Sequence, residues 1–285
     1  QMAEERLFEA GNGTPPVPYS VLVMGSAGRG ESLLAADQDN AIVFQSGEPG
    51  GTEDQWFESL AVHMADILDE VGVPYCQGGV MAKNALWRQS VSGWQTTIDT
   101  WVGRQRPEDL LNVDIFYDAV PVHGDFALGR SVWSYAYDQG AKAPAFIRML
   151  SEHIRDWRPP LTLFGNLRLM DNGRIDLKKN GLFPIVTAAR VLSIKNAAKV
   201  RSSPDRLNSL RAKGVGSPND IEDVIDAHRT VVGALLAQQL VDSETGVPLS
   251  SNVDPRIRGK RAKASLGKAL AAISTAIDLS REGAV

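Results

Sequence analysis

Apolar positions along this chain follow one pattern in its first half and another in its second. Two short apolar runs bounded by turn residues, "YSVLVM" from Tyr19 and "NAIVF" from Asn40, predict buried strands. Between them "GSAGRG" reads as a loop, and "ESLLAAD" has room for no more than a helical turn or two. From Glu53 the period lengthens. Phe57, Leu60, Ala61, Met64, Ile67, Leu68 and Val71 recur at three- and four-residue spacing, which lays one apolar face along a helix. Upstream, "MAEERLFEA" predicts a short helix and "GNGTPPVP" a turn-rich linker. "RQSVSGWQTTIDTWVG" predicts a further helix. "NVDIFYDAVPVHGD" predicts a strand, because Val113, Ile115 and Tyr117 alternate with Asp114, Phe116 and Asp118.

Beyond about Gly140 the pattern turns helical. "GRIDLKKNG" is a turn with a short extended piece. "GLFPIVTAARVLSIKNAAK" is a helix with Pro184 in its first turn, where the missing N–H costs nothing. "SPNDIEDVIDAHRTVVGALLAQQLVDSETG" opens on a Ser-Pro start with acidic residues in its first turns. Its apolar face is Ile221, Val224, Ile225, Val231, Val232, Leu235 and Leu236. "KRAKASLGKALAAISTAIDLSRE" is a last, Ala-rich helix. The expected organisation is a mixed α/β (α+β) domain over residues 1–140 and an all-helical bundle over residues 141–285.

Composition narrows the class. The chain has 285 residues, of which 43% are hydrophobic and 22% charged, enough apolar material for sizeable cores. A net charge of −4 disfavours a nucleic-acid binder that relies on a broad basic surface. The single cysteine, Cys76, excludes an intrachain disulfide framework and a Cys-rich zinc site, and fits a reducing cytoplasm. Cys76 itself is assigned to core packing. The four histidines have no metal-binding spacing. Trp87, Trp94 and Trp101 recur every seven residues and are assigned to a buried helical face rather than to base stacking. No run of about 18 apolar residues suggests a membrane span. An opening Gln ahead of Met2 reads as the start of a piece of a longer protein.

Candidate chemistry sits in "VLVMGSAGRGESLLAADQDNAIVF", residues 21–44. Its middle approaches the phosphate-binding pattern G-x-x-x-x-G-K-[ST], but Glu31 stands where lysine is needed. A charge of the wrong sign at 4 Å and an effective dielectric of 20 is worth about 4 kcal/mol, so the substitution inverts the contact with a polyphosphate. The long helix that such a loop opens is also missing. A second pattern follows: Asp37 and Asp39 are two residues apart at the entry to an extended segment. Positions i and i+2 share a face there, so the two carboxylates become neighbours suited to a hard divalent cation. Gly25 permits close backbone approach, and Ser26 and Arg29 offer a hydroxyl and a forked cation to phosphate oxygens.

"GSAGRGE" followed by "DQDN" resembles the signature of polymerase-β-type nucleotidyltransferases. The likeness is to the branch that includes the PII-protein uridylyltransferase and a related nucleotidyltransferase family whose catalytic domain precedes a helical substrate-binding domain. "CQGGVMAKNALWRQS", "IFYDAVPVHGD" and "GRIDLKKNGLFPIVTAARVLS" resemble later landmarks of that family, so the likeness spans nearly the whole chain. It implies a mixed sheet flanked by helices followed by a helical bundle. It implies Mg²⁺ (or Mn²⁺) as cofactor and an NTP as substrate, with transfer of a nucleoside monophosphate to an acceptor. That acceptor is a protein or a small molecule, and uridylylation of a PII-like regulator is one such transfer. Upstream cyclic-nucleotide-binding or CBS domains are also implied.

The resemblance carries the catalytic and metal-binding carboxylates onto Asp37, Asp39 and a third position. "IFYD" places that third one at Asp118 in preference to Asp114, with Val120 where the family has arginine. Gly25, Ser26 and Arg29 are the implied nucleotide-binding residues, joined by Lys178 and Lys179 from the start of the helical domain. A second reading is a catalytically weak, nucleotide-binding sensor module within a longer signalling protein. Val120 favours it and the Asp37/Asp39 pair disfavours it.

Overall fold

The structure is a computed structural model that describes residues 1–104, 106, 110–257 and 259–282. It divides into two compact units, one of Gln1–Ser32 with Ala36–Gln139, the other of Leu33–Ala35 with Gly140–Val285.

The first unit contains α1 (Met2–Glu9), β1 (Tyr19–Val23), α2 (Gly25–Arg29), β2 (Asn40–Phe44), α3 (Thr52–Glu70), β3 (Arg88–Ser90), α4 (Val91–Arg104), α5 (Leu110–Phe116), β4 (Val120–Gly124) and all but the last two residues of α6 (Phe126–Ala141). Among the described residues the main sheet has four strands in the order β3-β2-β1-β4. β1 is antiparallel to both β2 and β4, and β2 is parallel to β3. Every residue of β2 is buried, which is why its sequence is a continuous apolar run rather than an alternation. α3 lays Phe57, Leu60 and Ala61 against Ile42, Phe44 and Tyr19, and α1 adds Leu7 to the same core. Phe44 stacks on Phe57 with ring centroids 5.0 Å apart.

Four local expectations give way here. "GSAGRG" is not a loop: Gly25–Arg29 form α2, closed by Gly30 in the left-handed region that glycine adopts without strain. "ESLLAAD" contains no helical turn. "RQS" at the head of the expected helix is β3, drawn into the sheet by pairing of Arg88–Ser90 with Ile42–Phe44. The expected strand from Asn112 is a helix in its first five residues and a strand only in its later part. α5 runs to Phe116, a turn follows, and only Val120–Gly124 pair with the sheet. Val113, Phe116 and Tyr117 are all buried, and their spacing of three and four fits a helical face as well as the alternation fitted a strand. The tryptophans are core: Trp87, Trp94 and Trp101 lie with ring centroids 6.1–6.4 Å apart.

The second unit contains α7 (Pro144–Arg155), β5 (Ile175–Asp176), α8 (Phe183–Lys195), α9 (Ser203–Ala212), α10 (Pro218–Glu244), β6 (Asn252–Val253) and α11 (Gly259–Glu282). A single π turn, Lys178–Leu182, leads into α8. Residues 184–194 of α8 are all buried, so this helix is the centre of the unit and its apolar residues surround it on every side. Leu192, Leu207, Ile221, Val231 and Leu270 join in one core. Ser202 and Ser217 cap α9 and α10 by accepting from Asp205 N and Asp220 N, each at 3.1 Å, with proline in the first turn that follows. The chain is mixed α/β with a helical C-terminal region. Among the described residues no helix is long and apolar enough to cross a membrane.

Candidate metal and nucleotide site

The segment Asp37–Asn40 is held by its amides. Gln38 is buried, receives the chain at Pro74 O through its backbone N–H, and donates from Nε2 to Ala65 O and Val73 O. Asn40 is buried too; its N–H donates to Val80 O and its Oδ1 accepts from Ala82 N at 2.9 Å. With the even positions anchored inward, Asp37 and Asp39 both stay partly exposed on the other side. Sequence reasoning found the two aspartates but missed the two amides that position them. The polar-only string "DQDN" was the available signal.

Asp39 is fitted against the start of α2. Its carbonyl accepts from Met24 N at 2.9 Å, and Gly25 has a φ of +57°. A Cβ on Gly25 would stand 2.2 Å from Asp39 Oδ2, so only glycine leaves the carboxylate its place. Gly28, which sequence reasoning passed over, makes the same kind of fit one turn on. A Cβ there would meet the carbonyl oxygen of Asp118 at 2.2 Å and that of Val23 at 2.8 Å. Gly25 and Gly28 thus serve close packing of α2 on its neighbours.

Among the described residues, carboxylate oxygens of Asp37 and Asp39 and the Sγ of Cys76 all lie within 4.8 Å of one another. Cys76 is therefore not core packing: it is partly exposed, free, and hydrogen-bonded to Asp39. Burial raises its thiol pKa, a backbone hydrogen bond at Val80 opposes this, and the Asp39 carboxylate adds to the rise. Two oxygens and a sulfur converging from two chain segments suit a divalent cation. The space at Gly25, kept clear for one of the oxygens, is consistent with such use.

Asp118 is not one of these three residues. It is fully buried in the turn after α5, and its Oδ2 accepts from Arg29 Nη1. Arg29 also donates from Nε to Glu31 at 2.8 Å. Arg29, named above as a phosphate ligand, thus bridges two acidic groups in this structure. Glu31, the residue that breaks the phosphate-loop pattern, has a partner of the right sign. Asp114 is likewise buried, on α5. Ser26 is partly exposed, and its Oγ shares a hydrogen bond with Ser32 Oγ at 3.1 Å. Lys178 and Lys179 belong to the other unit, where both are exposed on the π turn.

The family described as "Putative nucleotidyltransferase DUF294" matches residues 2–108, and its companion, "Putative nucleotidyltransferase substrate binding domain", matches residues 144–281. The chain belongs to this nucleotidyltransferase family. A search of curated proteins found no match. Within this family member, Gly25, Ser26, Arg29, Asp37, Asp39 and Cys76 all fall in the first matched region. Lys178 and Lys179 fall in the substrate-binding region, and Asp114 and Asp118 fall between the two.

Proposed function

We propose that the chain transfers a nucleoside monophosphate from an NTP to an acceptor, with release of pyrophosphate, at the Asp37–Asp39 site. The observation that carries this reading is the convergence of the Asp37 and Asp39 carboxylates, the second fitted against Gly25, in a chain of this family. Asp37 and Asp39 would hold a divalent cation, Mg²⁺ or Mn²⁺. When bound, that cation supplies charge neutralisation of phosphate oxygens and lowers the pKa of a coordinated hydroxyl. The chain's own work is positional. Gln38 and Asn40 fix the spacing of the aspartates, and Gly25 leaves the Asp39 carboxylate its place. Ser26 presents a hydroxyl on the same short helix, and Lys178 and Lys179 are cationic candidates for the triphosphate. The helical unit selects the acceptor, and uridylylation of a PII-like regulator is the transfer to test first. A cytoplasmic setting suits an NTP-dependent reaction.

One observation favours a second reading, a nucleotide-binding sensor of low turnover. Asp118, the implied third carboxylate, is buried against Arg29 and is not part of the Asp37–Asp39–Cys76 group. A panel of labelled NTPs with Mg²⁺ or Mn²⁺, scored for pyrophosphate release and for label on lysate proteins and small molecules, separates the two. Turnover lost in Asp39→Asn supports transfer. Tight NTP binding without pyrophosphate release supports the sensor.

A further inference from the structure

Cys76 is built into this site by the backbone around it. The chain from Pro74 to Val80 is pinned at both ends to the residues flanking Asp39: Gln38 N donates to Pro74 O at 3.1 Å, and Asn40 N donates to Val80 O at 3.0 Å. Gln38 Nε2 adds a bond to Val73 O at 2.8 Å. Between the pins, Gly79 turns the chain with a φ of +71°. Its N–H donates to Cys76 O at 3.1 Å, and its carbonyl accepts from Asn84 Nδ2 at 2.6 Å. The loop that carries Cys76 is thus closed over Asp39 and anchored on either side of it. The result is the three-donor group described above, with Sγ and both carboxylates within 4.8 Å of one another.

We propose that Cys76 is a third protein ligand of this centre, which lets it take a thiophilic divalent ion of the Zn²⁺ or Co²⁺ class more tightly than the Mg²⁺ or Mn²⁺ that the two carboxylates alone would hold. The proposal rests on the reading that Asp37 and Asp39 hold a cation. Two carboxylates alone are hard donors suited to Mg²⁺, whereas a thiolate is a soft donor that Mg²⁺ does not favour and Zn²⁺ and Co²⁺ do. As the metal–sulfur bond forms, the thiol proton leaves to solvent. Three protein donors leave a coordination position for a phosphate oxygen or water, as in zinc sites that work on substrates. Because most sites prefer Zn²⁺ to Mg²⁺ to some degree, the mark of a sulfur ligand is a change in that ratio when the sulfur is removed.

The test uses the whole chain and Co²⁺, whose thiolate complexes show a sulfur-to-metal charge-transfer band in the near ultraviolet. The chain has one cysteine, so any such band reports Cys76. The expected result is stoichiometric Co²⁺ binding by equilibrium dialysis with the band present. Cys76→Ser should lose the band and bind Co²⁺ and Zn²⁺ about 100-fold more weakly, at least the upper range for loss of an outer-shell partner, with Mn²⁺ and Mg²⁺ affinity little changed. Co²⁺ bound without a band, or with equal affinity in Cys76→Ser, overturns the proposal and leaves the carboxylate site standing. Failure of the parent to bind Co²⁺, Mn²⁺ or Mg²⁺ overturns both. Because the band is read in the parent, the test does not depend on the folding of the variant.

Discussion

At the scale of single residues the site is defined by contacts that tolerate no added atom. Asp39→Asn should abolish NTP turnover and leave the metal-free melting temperature unchanged or slightly raised, since it relieves the repulsion from Asp37, a cost on the order of 1 kcal/mol. With Mg²⁺ and NTP at about 100 times the dissociation constant, the parent should gain about 2.7 kcal/mol, roughly 5–10 °C, and the variant should lose most of that gain. Thermal melts with and without ligand check both signs; a variant that melts lower without ligand but still responds to Mg-NTP would make Asp39 structural. Two glycines make a matched pair of tests. Gly28→Ala places a Cβ 2.2 Å from a backbone oxygen, so α2 must move, and a loss above about 3 kcal/mol in denaturant unfolding is expected. Gly30 has a φ of +71° but open space around it, so Gly30→Ala should cost only the left-handed backbone strain, about 1–2 kcal/mol.

Two elements are held by charged groups. α2 is tied to the turn after α5 by the buried Arg29–Asp118 pair, with Glu31 on the other side of the guanidinium. Removing one partner strands a buried charge, so Arg29→Met or Asp118→Asn should each cost about 3–5 kcal/mol, and the double variant much less than their sum. A urea-unfolding double-mutant cycle measures the coupling; additive losses would mean that the pair is not coupled. If Asp118→Asn loses turnover while Arg29→Met keeps it at a temperature where both are folded, Asp118 acts on the reaction directly. α1 is fastened by Glu4, which accepts from Tyr19 Oη at 2.6 Å and meets His123 Nε2 at 3.0 Å. Burial works to raise the Glu4 pKa, but the Tyr19 hydroxyl and His123 outweigh it, and the net value falls below the ordinary 4.5. A depressed carboxylate pKa adds stability that is present above 4.5 and is lost as pH falls through the lower folded value. The gap in melting temperature between the parent and Glu4→Gln should therefore be full at pH well above 4.5 and close as pH falls through the lower folded value. A gap independent of pH would remove Glu4 ionisation from the docking of α1.

Over the whole molecule, two units with separate cores are joined by a chain that crosses more than once. Leu33–Ala35 belong to the helical unit, where Leu33 packs on the core and Leu34 N donates to Gln239 Oε1 at 3.0 Å. A fragment ending at Gln139 would leave Leu33 and Leu34 without these neighbours, four and three residues ahead of Asp37. Such a fragment is expected to retain weak Mg-NTP binding, to show faster amide exchange across residues 31–36 than the full chain, and to stop modifying the acceptor. Normal modification by the fragment would refute the division of labour between the units.

Local sequence determined what local physics decides. The strands at Tyr19 and Asn40, the helix from Glu53 and the long helices after Phe183 announce themselves through periodicity, proline placement and serine caps, all within a few residues. The pairing of Asp37 with Asp39 was legible for the same reason, because an extended segment puts alternate residues on one side whatever packs beneath it. Tertiary structure decided the rest. Leu110, Val113, Phe116 and Tyr117 are all buried and satisfy two periods at once, and packing chose the helix. The partner of Asp118 is Arg29, 89 residues away, and no spacing rule connects them. Cys76 reached the carboxylates only because backbone bonds from Gln38 and Asn40 drew a distant loop across Asp39. Contacts between segments remote in sequence depend on how the sheet is assembled, and a linear pattern of residues does not encode that distance.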